Sequence, residues 1–141
     1  MNYKIKKFDV WSADLEDHPG STAEKLKSLA NAGANLEFVM ARRTPEQPGK
    51  GILYVSPLKG KKQVQAAGLS FFVRTSELTA VRIEGQNKPG LGHRLTSAIS
   101  DAGINLRGLM ASVLGKKFVI FFAFDSDSDA ERSFKALRAV R

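Results

Sequence analysis

Cysteine is absent from this chain of 141 residues. That removes disulfides, thiolate nucleophiles and cysteine-ligated metals from consideration. No apolar run approaches the ~20 residues of a membrane-spanning helix. The lysine-rich start, Met1 to Asp9, lacks the apolar stretch of a signal peptide, so a cytoplasmic protein with no membrane partner is expected. Also missing are a Gly-Lys-Ser/Thr phosphate loop, a nucleophile beside a base, and paired carboxylates at repeat-matched positions, so no catalytic residue and no cofactor are expected. His18 and His93 have no Asp, Glu or Cys at ligand spacing. A protein metal site needs three or four such groups, and none is expected here.

What is present is a globular composition, 43% hydrophobic and 26% charged. The formal net charge is +8, which can signal a nucleic-acid partner. The cations are scattered, however, from Lys4, Lys6 and Lys7 through Lys59, Lys61 and Lys62 to Lys116, Lys117 and Arg132–Arg141. Most flank turns or stand where a helix faces water, which reads as solvated surface rather than a nucleic-acid footprint.

The strongest signal is an internal repeat. At an offset of 70 positions Pro19-Gly20 falls on Pro89-Gly90, Ala32-Gly33 on Ala102-Gly103, Asn35-Leu36 on Asn105-Leu106 and Met40-Ala41 on Met110-Ala111. No gap is needed. Self-similarity at a fixed period is the mark of duplication, and Pro, Gly and Asn set backbone geometry, so the shared feature is shape. The expected halves are residues 1–75 and 76–141.

Each half reads as the same run of elements. In the second, Val81 and Ile83 alternate with Arg82 and Glu84 as in a half-buried strand. After Asn87-Lys88-Pro89-Gly90, the apolar residues Leu91, Leu95, Ala98, Ile99 and Ala102 form one helical stripe that Gly103 ends. A strand over Asn105 to Val113, a turn at Gly115-Lys116, the strand Phe118 to Phe124 and a helix over Ser126 to Ala139 complete it. The first half gives a strand near Lys7 to Asp14, a helix over Ser21 to Ala32 and strands over Leu36 to Arg43 and Ile52 to Leu58. A short helix over Lys61 to Ala67 and a closing strand over Ser70 to Val73 follow, with Arg74 to Leu78 as linker. The order βαββαβ is the ferredoxin-like arrangement, an α+β antiparallel sheet with both helices on one face. After its last helix the second half has little chain left for a fourth strand, so that strand is either missing or supplied by another segment.

Phe118 to Phe124 offers apolar side chains to both faces of its sheet. A strand of that kind needs cover on its back, from the other repeat or from a second chain, and a homodimer is expected.

Asp17-His-Pro-Gly20 and Asn87-Lys-Pro-Gly90 before the helices, with Ala-Gly-Ala-Asn-Leu36 and Ala-Gly-Ile-Asn-Leu106 after them, resemble the ACT domain family. The resemblance spans nearly the whole chain and is strongest from Thr79 to Val113. It implies a non-catalytic regulatory module that senses an amino acid or similar small ligand where ACT units meet, with a regulated enzyme or regulator as partner. Carried onto this sequence, the ligand-binding residues are Asn87, Gly90, Leu91 and Gly92, with Asp17, Gly20 and Ser21 in the first copy. Asn105 and Asn35, which open the next strands, complete the set. The copies differ where Thr22 and Ala23 stand opposite Gly92 and His93.

Helix physics points to the same loops. The first turn of a helix has unpaired N–H groups and partial positive charge, which suit a carboxylate. Gly90 and Gly92 leave its approach open, an asparagine can both donate and accept, and Leu91 could line an apolar pocket. Against this, Pro-Gly is ordinary punctuation, and Asn35 and Asn105 could be turn residues bonding their own backbone. An RNA-binding sheet has the same strand order, and Phe118-Val-Ile-Phe121 fits part of its signature. The Lys/Arg-Gly-Phe/Tyr-Gly/Ala half is absent, since Leu114-Gly-Lys-Lys117 stands there.

Overall fold

The computed structural model describes residues 3–140, and of 76–78 the backbone alone. In order, the elements are strand β1 (Lys4–Glu16), helix α1 (Ser21–Asn31), β2 (Phe38–Arg43), β3 (Lys50–Ser56), α2 (Gly60–Leu69), β4 (Val73–Gln86), α3 (Leu91–Asp101), β5 (Gly108–Leu114), β6 (Lys117–Phe124) and α4 (Asp127–Arg138). They form two compact units. One is Asp9–Thr75; in the other, the residues up to Phe8 join those from Ser76 onward.

In the Asp9–Thr75 unit the strand order is β2–β3–β1, antiparallel, with Trp11 opposite Val55 and Leu15 opposite Gly51. Alternate residues Ala13 and Leu15 of β1 and Leu53 and Val55 of β3 share one face. There they meet Leu26 and Leu29 of α1, Ala67 of α2, and Phe72. Trp11, expected in the core, is partly buried against this cluster. The opening residues of β4 close the sheet beside β1, where Arg74 Nη2 donates to Asp9 Oδ1 at 2.8 Å.

In the other unit the order is β4–β6–β5, with Val81 opposite Phe122 and Ala111 opposite Ile120. Phe118, Ile120, Phe122 and Phe124 point to the helix side. They pack with Val81 and Ile83 against Leu91, Leu95 and Ile99 of α3 and Ala130 and Leu137 of α4. Phe121, on the other face of β6, lies with its ring centroid 6.1 Å from that of Phe8.

One open alternative of the sequence is decided, and one expectation changes. The fourth strand of the second repeat is the opening of β1, which lies on the free side of β4. Tyr3 and Ile5 pack on its core, and the Tyr3 ring meets Phe118 edge-on at 5.8 Å. The division at 75 and 76 therefore assigns this segment to one repeat in sequence, while its packing lies with the other. Arg74 to Leu78, read as a linker, belongs to the continuous strand β4. Its polar composition misleads because a charge such as Arg74 is neutralised by an acid on the neighbouring strand.

Candidate functional site

The two Pro-Gly loops are anchored alike. Asp17 N–H donates to the Gly49 carbonyl at 3.0 Å, and Asn87 N–H to the Lys116 carbonyl at 2.8 Å, tying each loop to the hairpin of its own repeat. Gly20 and Gly90 then turn the chain into the helix at φ 93° and 79°. That left-handed conformation suits glycine. Neither α1 nor α3 receives a side-chain cap, whereas Ser126 caps α4 by accepting from Asp129 N–H at 3.1 Å. Nothing lies within 4 Å of where a side chain would begin at Gly20, Gly90 or Gly92. Both helix starts are open, with first-turn N–H groups disposed toward an anion.

Beside the start of α1 lies a cavity of about 370 Å³. Asp14, Leu15 and Glu16 wall it from the end of β1, His18 from the loop, Ser21, Glu24 and Lys25 from α1, and Ser70 and Phe71 from the turn after α2. Ser21 is 8% exposed. With a proton on His18 Nδ1, that nitrogen donates to the Pro19 carbonyl at 3.0 Å and the Ser21 hydroxyl donates to Nε2 at 3.3 Å. Lys25 Nζ donates to the Ser70 carbonyl at 2.6 Å and lies 5.3 Å from the Phe71 ring centroid. Glu16 pairs with Lys50, whose hydrogen bond and positive charge hold its carboxyl below the usual glutamate range.

The expected site residues fall into separate groups. Ser21 lines the cavity. Asp17 does not, because its Oδ2 accepts from Arg43 Nε at 2.8 Å. Leu91, expected to line a pocket, is 4% exposed and packs in the core. Asn87, Gly90 and Gly92 are exposed at the start of α3. Asn105 lines a second hollow of about 320 Å³ with Thr96, Ser97 and Ser100, along the far half of the same helix. An 11-residue helix is roughly 16 Å long, so one small ligand in this repeat cannot touch both Gly90 and Asn105. Asn35 is exposed in the matching place after α1. Each unit thus keeps its glycine loop and its asparagine at opposite helix ends.

Sequence reasoning missed Asp14, Glu24, Lys25, Ser70 and Phe71. Glu24 and Lys25 stand one helical turn beyond Ser21, a spacing that could have drawn attention to them. Ser70 and Phe71 arrive from another element and carry no local signal.

The RNA platform reading loses its aromatics, since Phe118 and Phe121 are buried and offer no ring for a base to stack on. Among the described residues no group of three His, Asp or Glu could hold a metal, and no helix is long and apolar enough to cross a membrane.

Fold and loop geometry define a tandem ferredoxin-like α+β protein with open Pro-Gly helix starts. A family model, "ACT domain", matches residues 79–141. That match falls on the second repeat, and Asp9–Thr75 shows the same order of strands and helices. No curated protein matches. Among solved structures, a Bacteroides thetaiotaomicron protein aligns over 98% of this chain and 90% of its own, at 18% identity and TM-score 0.72. The regulatory subunit of aspartate kinase from Thermus thermophilus, in its ligand-free form, aligns over 98% of this chain and 95% of its own, at 14% identity and TM-score 0.66. That of Thermus flavus covers 99% of this chain and 97% of its own, at 14% and 0.63. At these identities the likeness is one of fold.

Proposed function

We propose that this chain is a non-catalytic regulatory protein of the cytoplasm that binds a small ligand, an amino acid, at the Pro-Gly helix starts of its ACT-like units. It works as a homodimer and passes the bound state to a metabolic enzyme or another regulator. The observation that carries this reading is the cavity of about 370 Å³ beside the uncapped start of α1. That volume falls at the lower end of the roughly 300–1,000 Å³ of small-molecule pockets. The first-turn N–H groups of α1 receive the ligand carboxylate, and Ser21 and the wall of β1 face the rest. The corresponding loop of the second unit, with Asn87, Gly90 and Gly92, is a second such start without Leu91, which the core holds. The match to the ACT family supports a regulatory role, and the fold shared with regulatory subunits of aspartate kinase agrees with it.

A thermal-shift panel of the proteinogenic amino acids tests this. A ligand at a hundredfold over its dissociation constant adds about 2.7 kcal/mol, a midpoint rise of several degrees at this size. One or a few amino acids should give it. Silence across the whole panel would overturn the proposal.

A further inference from the structure

We propose that the second unit docks an acidic segment of a partner protein on the sheet face turned away from α3 and α4. This deepens the regulatory reading and rests on it for the existence of a partner, though not for the ligand. Cations that look scattered along the sequence converge here. In this unit the strands run β1–β4–β6–β5. Tyr3 and Ile5 of β1 pack on the helix-side core, so by alternation Lys4, Lys6 and Phe8 stand on the other face. On that face Arg82, Glu84 and Gln86 of β4 lie opposite Phe121, Val119 and Lys117 of β6. Met110 and Leu114 of β5 join them, opposite Phe121 and Lys117.

Among the described residues of these strands, the face gathers Lys4, Lys6, Arg82 and Lys117 against one acid, Glu84. That acid is already engaged, since Arg82 Nη2 donates to its Oε2 at 2.8 Å. The hydrogen bond from Arg82 holds the Glu84 carboxyl below the usual glutamate range. The charges of Lys4 and Lys117 add to the effect, so both stand within reach of it. Lys4, Lys6 and Lys117 are exposed. Like charges on neighbouring strands weaken a sheet, whereas an anionic partner turns that repulsion into attraction and speeds the encounter. At the offset of 70, Arg82 falls on Ser12. The cluster is no part of the shared scaffold.

Two observations favour a protein over a nucleic acid. Phe8 and Phe121 are buried, with Lys6 Nζ 5.3 Å from the Phe8 ring centroid and the Arg82 guanidinium 5.9 Å from that of Phe121. No base stacks on rings covered in this way. At the β5 edge of the same face, Met110 and Leu114 are exposed, Leu114 by 87%. Apolar side chains beside cations suit a segment that carries both carboxylates and apolar residues, and contribute nothing to holding a phosphate backbone.

Fluorescence anisotropy on the intact chain tests this, with a copolymer of L-glutamate and L-leucine, a matching copolymer of L-lysine and L-leucine, and polyuridylate as labelled probes. Co-sedimentation with phosphatidylserine vesicles completes the set. The glutamate copolymer should bind, more weakly as salt is raised, and the lysine copolymer should not. Lys4→Glu with Lys117→Glu should weaken it at least about tenfold, and Leu114→Ser about threefold. Lys4→Gln with Lys117→Gln, a milder pair that guards against misfolding of the reversed one, should cost roughly threefold. Lys61→Glu with Lys62→Glu alters exposed residues of α2 in the other unit by the same charge. That pair should change binding by less than about twofold. No binding of the glutamate copolymer, or an equal loss in the α2 variant, overturns the surface. Tighter binding of polyuridylate or of vesicles through Lys4 and Lys117 overturns the class of partner. None of these readouts needs an amino acid, so silence in the thermal-shift panel and failure here are separate results.

Discussion

The ammonium group of Lys25 on α1 donates to the carbonyl oxygen of Ser70 at 2.6 Å, fastening the turn after α2 to the wall of the cavity. The next residue, Phe71, stands at φ 65°, alone among the described non-glycine residues in having a positive φ. It is 80% exposed, so its conformation is not repaid by burial.

Backbone of that kind costs an aromatic residue on the order of 1 kcal/mol, and glycine adopts it freely. Phe71→Gly is therefore expected to raise the melting midpoint by roughly 2–5 °C, measured by calorimetry without ligand. A fall in the midpoint would mean that the ring holds more of the fold than its exposure indicates.

Ser133, inside α4, is fully buried, and its hydroxyl has no hydrogen-bond partner. A buried unsatisfied hydroxyl costs about 1 kcal/mol or more, and alanine is also the better helix former by about half that. Ser133→Ala should stabilise the protein by about 1 kcal/mol in urea denaturation. An unchanged or lowered midpoint would count against the buried, unpartnered hydroxyl.

Acid should weaken the fold through three glutamates. Hydrogen bonds from Lys50, Arg82 and Lys7 hold Glu16, Glu84 and Glu131 below their ordinary values. A carboxyl whose pKa is lower folded than unfolded binds fewer protons in the folded state. Its stabilisation is complete above the unfolded value and drains away as pH falls through the lower folded one. Stability measured from pH 6 down to pH 3 should fall once pH drops below about 4.5. Glu84→Gln should flatten that decline, since the Arg82–Glu84 pair is the least exposed of the three. An equally steep profile in the variant would remove Glu84 from the account.

The repeat made much of this readable without coordinates. Pro-Gly and Ala-Gly recur at a fixed offset because both loops need left-handed glycines, and Gly20, Gly90, Gly33 and Gly103 all have positive φ. The alternation of Val81 and Ile83 and the stripe of Leu91, Leu95 and Ile99 announced a buried strand and helix, and all five residues are in the core. What misled was what depends on distant chain. Leu91 reads equally well as pocket or core until α4 and β6 are placed against it. Asn105 and Gly90 are matched in both repeats, yet sequence does not say that a whole helix separates them. Asp14, Glu24 and Phe71 meet at one cavity only because β1, α1 and the turn after α2 converge, and no spacing rule joins positions that far apart.

The strand opening at Lys4 carries a consequence for synthesis and for engineering. Residues translated before either repeat is complete form the outer edge of the later one, so that sheet closes only after most of the chain has left the ribosome. Dividing the gene at the midpoint of the duplication would give a downstream fragment with β4 uncovered along one side, and an upstream fragment with a tail that has lost its place. The duplicated stretches of sequence are thus not independent parts, and a fusion at the amino end would be felt by the repeat at the other.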